Sequence, residues 1–180
     1  MQSKIVKFFE LDEKTIRHIK KIYFNTVIDF LNKYQEITII DFKDYFNESF
    51  HSSKSYIIII YTGMMTFLNK RYVLEGDILG FCVVKVTDSN KNLYMITTFT
   101  ILNNDFETAK FLLEETKKYF CEYNGTLYIF VPKDMKNDYH FHLLGMSEIT
   151  NETQFLGKPW NKLQIEWICY YIKLVNPDEP

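Results

Sequence analysis

Apolar positions change their period several times along the chain, and each change marks an element. Residues 4–9 alternate weakly and predict a short strand. From Asp12 onward Ile16, Ile19, Tyr23 and Val27 recur at spacings of three and four, one apolar stripe of a helix running to Leu31. The Asp12 carboxylate is placed to cap its first turn. Phe42, Tyr45, Phe46 and Phe50 predict a second, shorter helix within residues 35–55. Residues 56–62 are rich in Ile, lie between Ser53 and Gly63, and predict a buried strand. Two more strands follow over 77–87 and 93–101, joined by the polar turn Asp88, Ser89 and Asn90 into an antiparallel hairpin.

The strongest helix signal comes next. Asn104, with Glu107 three positions later, has the spacing of a capping box. Ala109, Leu112, Leu113, Thr116 and Phe120 trace one face, and Lys110, Glu114, Lys117 and Lys118 fill the other. Gly125 sits in a turn before an apolar strand over 126–131 that ends at Pro132. A short helix over 134–144 stops at Gly145, a residue suited to the left-handed position after a helix. Residues 163–174 predict the last long strand. The order is β-α-α-β-β-β-α-β-α-β: an α+β protein, a single domain over 1–175 with a mixed β-sheet flanked by helices, and a polar tail over 176–180 that frays. The strand, helix, strand unit across 93–131 makes its two strands parallel neighbours.

Composition narrows the class. Apolar residues make up 47% and aromatics 17% of 180 residues, which excludes a disordered chain. A net charge of −2 gives no sequence-wide reason to expect nucleic acid or an anionic membrane surface. All but Arg17 and Arg71 of the basic residues are lysine and Ala109 is the sole alanine, a codon bias rather than a binding signal. The longest apolar run, residues 56–61, is far short of a membrane span. Lys4, Lys7 and Glu10 interrupt any secretory signal. Cys82, Cys121 and Cys169 are odd in number and widely spaced, so a reducing, cytoplasmic compartment is expected.

Metal chemistry finds no support in the spacing. His140 and His142 are two apart and do not face one another on a helix, while His18 and His51 have no spaced partner. Glu166 alternates with Gln164 and Ile168 on one face of the last strand and reads as a solvated position. No phosphate loop, dinucleotide fingerprint or nucleophile elbow is present.

Four segments in order carry a resemblance. They are the hairpin Ile78-Leu79-Gly80-Phe81-Cys82-Val83-Val84 with Leu93 to Ile101, the helix with Lys110-Phe111-Leu112-Leu113, the strand at 126–131, and His140-Phe141-His142-Leu143-Leu144-Gly145-Met146. Together they resemble the GCN5-related N-acetyltransferase (GNAT) fold over nearly the whole chain. That resemblance implies that strands 93–101 and 126–131 separate at their C-terminal ends to admit the pantetheine arm of acetyl-CoA. It places the backbone of Phe99, Thr100 and Ile101 against the thioester and pantetheine. It places Asn104, Asp105, Phe106, Glu107, Thr108 and Ala109 at the pyrophosphate.

The family's phosphate loop is rich in glycine, because backbone N–H groups must approach phosphate closely. Here only Ala109 is small, and Asp105 and Glu107 bring carboxylates whose oxygens compete for the helix N–H groups and repel an anion. Phe141 aligns with the tyrosine that often serves the family as general acid. Tyr139, two residues away, is the candidate to protonate the departing thiolate. The function implied is an acyl-CoA-dependent N-acyltransferase, transferring acetyl from acetyl-CoA to an unknown amine without a metal. The alternative is a GNAT-like module without catalysis that engages a protein partner through aromatics, with Tyr94, Phe99, Phe106, Phe141, Trp160 and Trp167 flanking the cleft.

Overall fold

A computed structural model describes residues 1–33, 38–121, 124–133, 141–149 and 166–175. In chain order the elements are β1 (Gln2–Val6), α1 (Glu13–Lys33), α2 (Ile39–Phe50), β2 (Ser55–Tyr61), β3 (Met64–Leu68) and β4 (Arg71–Glu75). They continue with β5 (Ile78–Asp88), β6 (Leu93–Ile101), α3 (Phe106–Phe120), β7 (Thr126–Pro132), β8 (Ser147–Ile149) and β9 (Trp167–Lys173). Seven strands join in the order β1-β2-β5-β6-β7-β9-β8, and β3 and β4 form a separate ribbon. Within the seven, β6 and β7 pair parallel and the other neighbours pair antiparallel. This is the expected α+β arrangement, a mixed sheet with helices on its faces.

Four consecutive isoleucines show how one strand builds two cores. Ile58 and Ile60 of β2 join Cys82, Val84, Tyr94, Ile96, Leu127 and Ile129 under Leu112, Leu113 and Phe120 of α3. Ile57 and Ile59 point the other way, to Phe81 and Val83 and to Ile19, Ile22, Tyr23, Phe46 and Phe50 of α1 and α2. Alternation by two on a strand covered on both sides requires such a continuous apolar run. The Phe46 and Phe50 rings stack at 4.0 Å, and Phe8 meets Phe50 edge-on at 5.1 Å. Asp12 caps α1 as expected, its carboxylate accepting from the N–H groups of Lys14 and Thr15 at 3.1 Å each.

Several boundaries differ from those the sequence predicts. The first strand ends at Val6, because Phe8–Glu10 turn into a 3-10 turn whose Glu10 carboxylate accepts from the Lys7 N–H at 2.6 Å. Residues 64–75 carry the unpredicted β3–β4 ribbon. Its two-residue turn is Asn69 and Lys70, at φ 49° and 64°, a hairpin turn lacking the usual glycine. The helix expected over 134–144 lies mostly outside the described residues. Residues 141–145 form a turn in which Met146 N–H donates to Phe141 O and Gly145 N–H to His142 O, both at 3.1 Å, with Gly145 at φ +83°. The paired bonds have the pattern of a Schellman motif, with glycine in the left-handed position. β8 was not anticipated, residues 163–165 of the last predicted strand lie outside the described residues, and so does the tail at 176–180. Among the described residues no helix is long and apolar enough to cross a membrane.

The β6–β7 alignment depends on a close approach at Gly125. Thr126 N–H donates to Asn92 O at 2.9 Å, and a Cβ on Gly125 would stand 2.2 Å from that same oxygen. Gly125→Ala should therefore lower stability by about 1–3 kcal/mol, the usual cost of overpacking against backbone. A urea midpoint unchanged in that variant, at unchanged slope, would contradict the assignment.

Candidate functional site

The parallel pairing of β6 with β7 runs from Leu93↔Thr126 to Ile96↔Ile129 and then stops. Both strands continue past that point, β6 through Thr97 to Ile101 and β7 through Phe130 to Pro132. The sheet opens there, as expected for strands 93–101 and 126–131. The cause lies on the other edge of β6. Val83 pairs with Thr98 and Val84 with Ile96, so Thr97 is an extra residue with no partner on β5. Such a bulge bends its strand and reverses the alternation of side chains beyond it. Tyr94 and Ile96 point into the α3-side core before Thr97, and Phe99 and Ile101 do so after it.

The bulge is tied from the opposite face. The Tyr45 hydroxyl of α2 donates to the Thr97 carbonyl at 3.0 Å, and the Thr97 hydroxyl donates to Val83 O at 3.4 Å. Burial raises the Tyr45 hydroxyl above its ordinary pKa; a bond to Ser49 opposes this and the Glu48 charge adds to it. Tyr23 of α1 is raised too, first by burial and then by its neighbour Tyr45. Both therefore remain protonated donors at neutral pH. Thr98 and Thr100 pair with Val83 and Phe81, which places them on the α1/α2 side. Thr98 is 8% exposed, and among the described residues its hydroxyl oxygen has no hydrogen-bond partner.

The far side of the opening is held by β9. Phe130, Val131 and Pro132 pair with Cys169, Ile168 and Trp167. Phe141 is fully buried, its ring 5.4 Å from Phe99 and 5.7 Å from Tyr170, so it reaches from β6 towards β9 on the α3 side. Phe141, which aligns with the family's frequent tyrosine, is a core residue here.

The start of α3 follows β6 directly, after a turn over Leu102–Asn104. The capping box expected from Asn104 and Glu107 does not form, and Asp105, one residue later, is the N-cap. Asn103 and Asn104 take φ +63° and +48°, a left-handed conformation that an N-cap residue, normally extended, does not have. The Asp105 carboxylate accepts the Thr108 N–H at 2.9 Å and also the Thr108 hydroxyl. The Thr108 hydroxyl first, then its N–H, and finally the Glu107 N–H hold the Asp105 carboxyl below the usual carboxylate range. Asn104, Phe106 and Glu107 are exposed, Thr108 is buried and Ala109 is half-buried.

Other expectations resolve plainly. Phe99, Thr100 and Ile101 line the open half of β6, and Asn104 to Ala109 continue from it. Tyr139 and Trp160 lie outside the described residues. Of the aromatics expected to flank the cleft, Tyr94 and Phe141 are core and Phe106 is exposed. Glu166 is an exposed partner of Lys133 at 2.6 Å, a solvated position as expected. His51 packs its ring edge-on to Phe8 at 5.1 Å. Among the described residues no group of His, Cys, Asp or Glu could hold a metal ion. Sequence reasoning missed Tyr45, Thr97 and Thr98 as site residues. Tyr45 looked like one more member of an apolar helix face, and a bulge leaves no mark in composition.

No protein-family model matches the chain, and no curated protein matches its sequence. Solved structures match its fold. A GNAT-family acetyltransferase of Staphylococcus aureus is 15% identical at a TM-score of 0.59, covering 96% of this chain and 99% of that one. Spermidine N-acetyltransferase of Vibrio cholerae, solved with CoA and spermine, is 11% identical at 0.59, covering 96% of each chain. The Campylobacter jejuni N-acetyltransferase PseH is 16% identical at 0.52, covering 95% of this chain and 97% of that one. The chain adopts the GNAT fold.

Two measurements check the local assignments. Tyr45→Phe keeps the ring and deletes the donor to Thr97 O, and should cost about 1 kcal/mol in urea unfolding. Asp105 has a depressed carboxyl pKa, so its contribution is present above the ordinary carboxylate pKa and lost as pH falls through its own lower value. Stability should thus fall less steeply on acidification in Asp105→Asn than in the native protein. Parallel acid profiles would show that Asp105 is not the cap.

Proposed function

We propose that the chain is an acyl-CoA-dependent N-acyltransferase that moves an acetyl group from a pantetheine thioester to an amine. The observation that carries this reading is the opening between β6 and β7 immediately after the Thr97 bulge. Among the described residues the β7-facing edge of Thr97 to Ile101 has no strand partner. Its backbone groups are therefore available to an extended, amide-bearing arm. An amine acceptor is taken from the likeness to spermidine N-acetyltransferase of Vibrio cholerae.

The fit to CoA divides in two. The opening suits the pantetheine arm, whereas the α3 N-terminus already carries the Asp105 carboxylate and suits a diphosphate poorly. A bound thioester supplies an activated acyl carbon. In the transfer the amine nitrogen bonds to that carbon, the C–S bond breaks, the amine gives up a proton and the thiolate gains one. Backbone N–H groups along Phe99, Thr100 and Ile101 polarise the carbonyl oxygen as charge builds on it. Tyr45 and the unpartnered Thr98 hydroxyl offer polar contacts on the α1/α2 side, where an amine can approach. Tyr139 is assigned the proton donor to the thiolate, from its position two residues before Phe141. The reading takes the chain as a single domain acting in the cytoplasm, supported by its odd number of widely spaced cysteines.

The test is thiol release from acetyl-CoA with a panel of polyamines, amino acids and peptides. Turnover should appear, and Tyr139→Phe should slow it at least about a hundredfold while the protein stays folded, the lower end of the range for losing an acid catalyst. Turnover unchanged in that variant removes Tyr139 from the mechanism. A second reading, a GNAT-fold module without catalysis, is supported by Phe141, which has no hydroxyl where the family often has one. Absence of thiol release with every acceptor would favour it.

A further inference from the structure

We propose that the donor is selected through its pantetheine arm, with the nucleotide diphosphate of CoA contributing little to recognition. The inference rests on the acyltransferase reading above and names its donor chemistry: a pantetheine thioester, whether free or borne on a carrier.

Two surfaces meet at the end of β6. An α-helix leaves its first N–H groups without internal partners, and these make an anion seat. In α3 the Asp105 carboxylate occupies this seat: the Thr108 N–H donates to it at 2.9 Å, while the Ala109 N–H makes the helix's own first bond, to Asp105 O at 3.0 Å. The Glu107 N–H adds to the same carboxylate. Glu107 adds a second carboxylate to the turn, and no glycine lies between Leu102 and Ala109 to let phosphate approach. A diphosphate there must displace a charge-assisted cap and sit beside two acids.

The open half of β6 is different in kind. Among the described residues it is a strand edge without a strand partner, with the half-buried Phe99 ring on its α3 side packed on the core residue Phe141 at 5.4 Å. Strand edges bind extended amide chains by main-chain hydrogen bonds, with side-chain pockets adding specificity. Pantetheine carries two amides in such a chain and no charge. The groove matches the arm, and the helix start rejects the nucleotide end.

The experiment compares acetyl-CoA, S-acetyl-4′-phosphopantetheine and S-acetylpantetheine as donors with one amine. Calorimetry with the three free thiols gives their affinities independently of turnover. The expected result is affinities within about threefold of one another, little changed between low and high salt, since no phosphate contact contributes. CoA binding more than about tenfold tighter than pantetheine, and collapsing in salt, would overturn the proposal yet leave the acyltransferase reading standing. If none of the three binds or releases thiol, the acyltransferase reading itself fails. Phosphopantetheine binding more than about tenfold tighter than pantetheine would show a phosphate contact and overturn the proposal as well.

Asp105→Asn tests the cause. Asparagine still caps the helix but carries no charge. The ratio of CoA to pantetheine affinity should rise severalfold in this variant, and a flat ratio would overturn the role given to Asp105.

Discussion

The hydrogen bond from the Tyr45 hydroxyl to the Thr97 carbonyl, 3.0 Å long, joins α2 to the one residue of β6 that has no partner on β5. Because Thr97 is extra, β6 cannot stay in register with β5 and parallel to β7 at once. It keeps β5, pairing on to Gly80↔Ile101, and leaves β7 after Ile96. The opening is thus a consequence of strand geometry, and it exists without any particular side chain lining it. A bulged strand could relax by slipping one residue. Slippage would send Phe99 and Ile101 out of the α3-side core and bring Thr98 and Thr100 in, so burial on both faces locks the register. The Tyr45 bond adds a polar lock, and the Glu48–Lys85 pair, at 3.1 Å, ties α2 to β5 only weakly because Glu48 is largely exposed.

That two-sided burial explains which features of the chain were legible. Ile57 to Ile60, the α3 stripe of Leu112, Leu113, Thr116 and Phe120, and the all-apolar β7 announce themselves because each must meet a core. The parallel neighbourhood of β6 and β7 follows from their order with a helix between. Gly145 was readable for the same local reason, since few residues tolerate φ +83°.

What escaped the sequence depends on contacts between distant residues or on one-residue offsets. The β3–β4 ribbon turns on Asn69 and Lys70, a pair with no glycine, and its Met64, Phe67 and Leu68 are more than half exposed, so no clean alternation marks it. Thr97 as a bulge is invisible because threonine is an ordinary strand residue. Tyr45 falls on the same helical stripe as Phe46 and Phe50, and only the fold shows that its hydroxyl meets a backbone carbonyl fifty-two residues away. The cap at α3 was placed one residue early, since Asn104 and Asp105 are both good caps. Backbone dihedrals decided between them: two left-handed asparagines precede the helix, and Asp105 is the first residue back in the extended region.

That one-residue offset matters chemically more than it does structurally. An asparagine cap would leave the helix start neutral, with its partial positive end open to anions. An aspartate cap satisfies the same N–H groups and reverses the sign of the local field. The Thr108 hydroxyl and N–H then hold the carboxyl in its charged form across the physiological range. Because the group is exposed, its influence fades within a Debye length of about 8 Å at physiological salt. Its reach covers the first turn of α3 and falls away along β6. The strand edge beyond Thr97 presents neutral backbone dipoles and no carboxylate. Two adjoining surfaces therefore differ in what they can hold: one is suited to uncharged amides, and the other already contains its own anion.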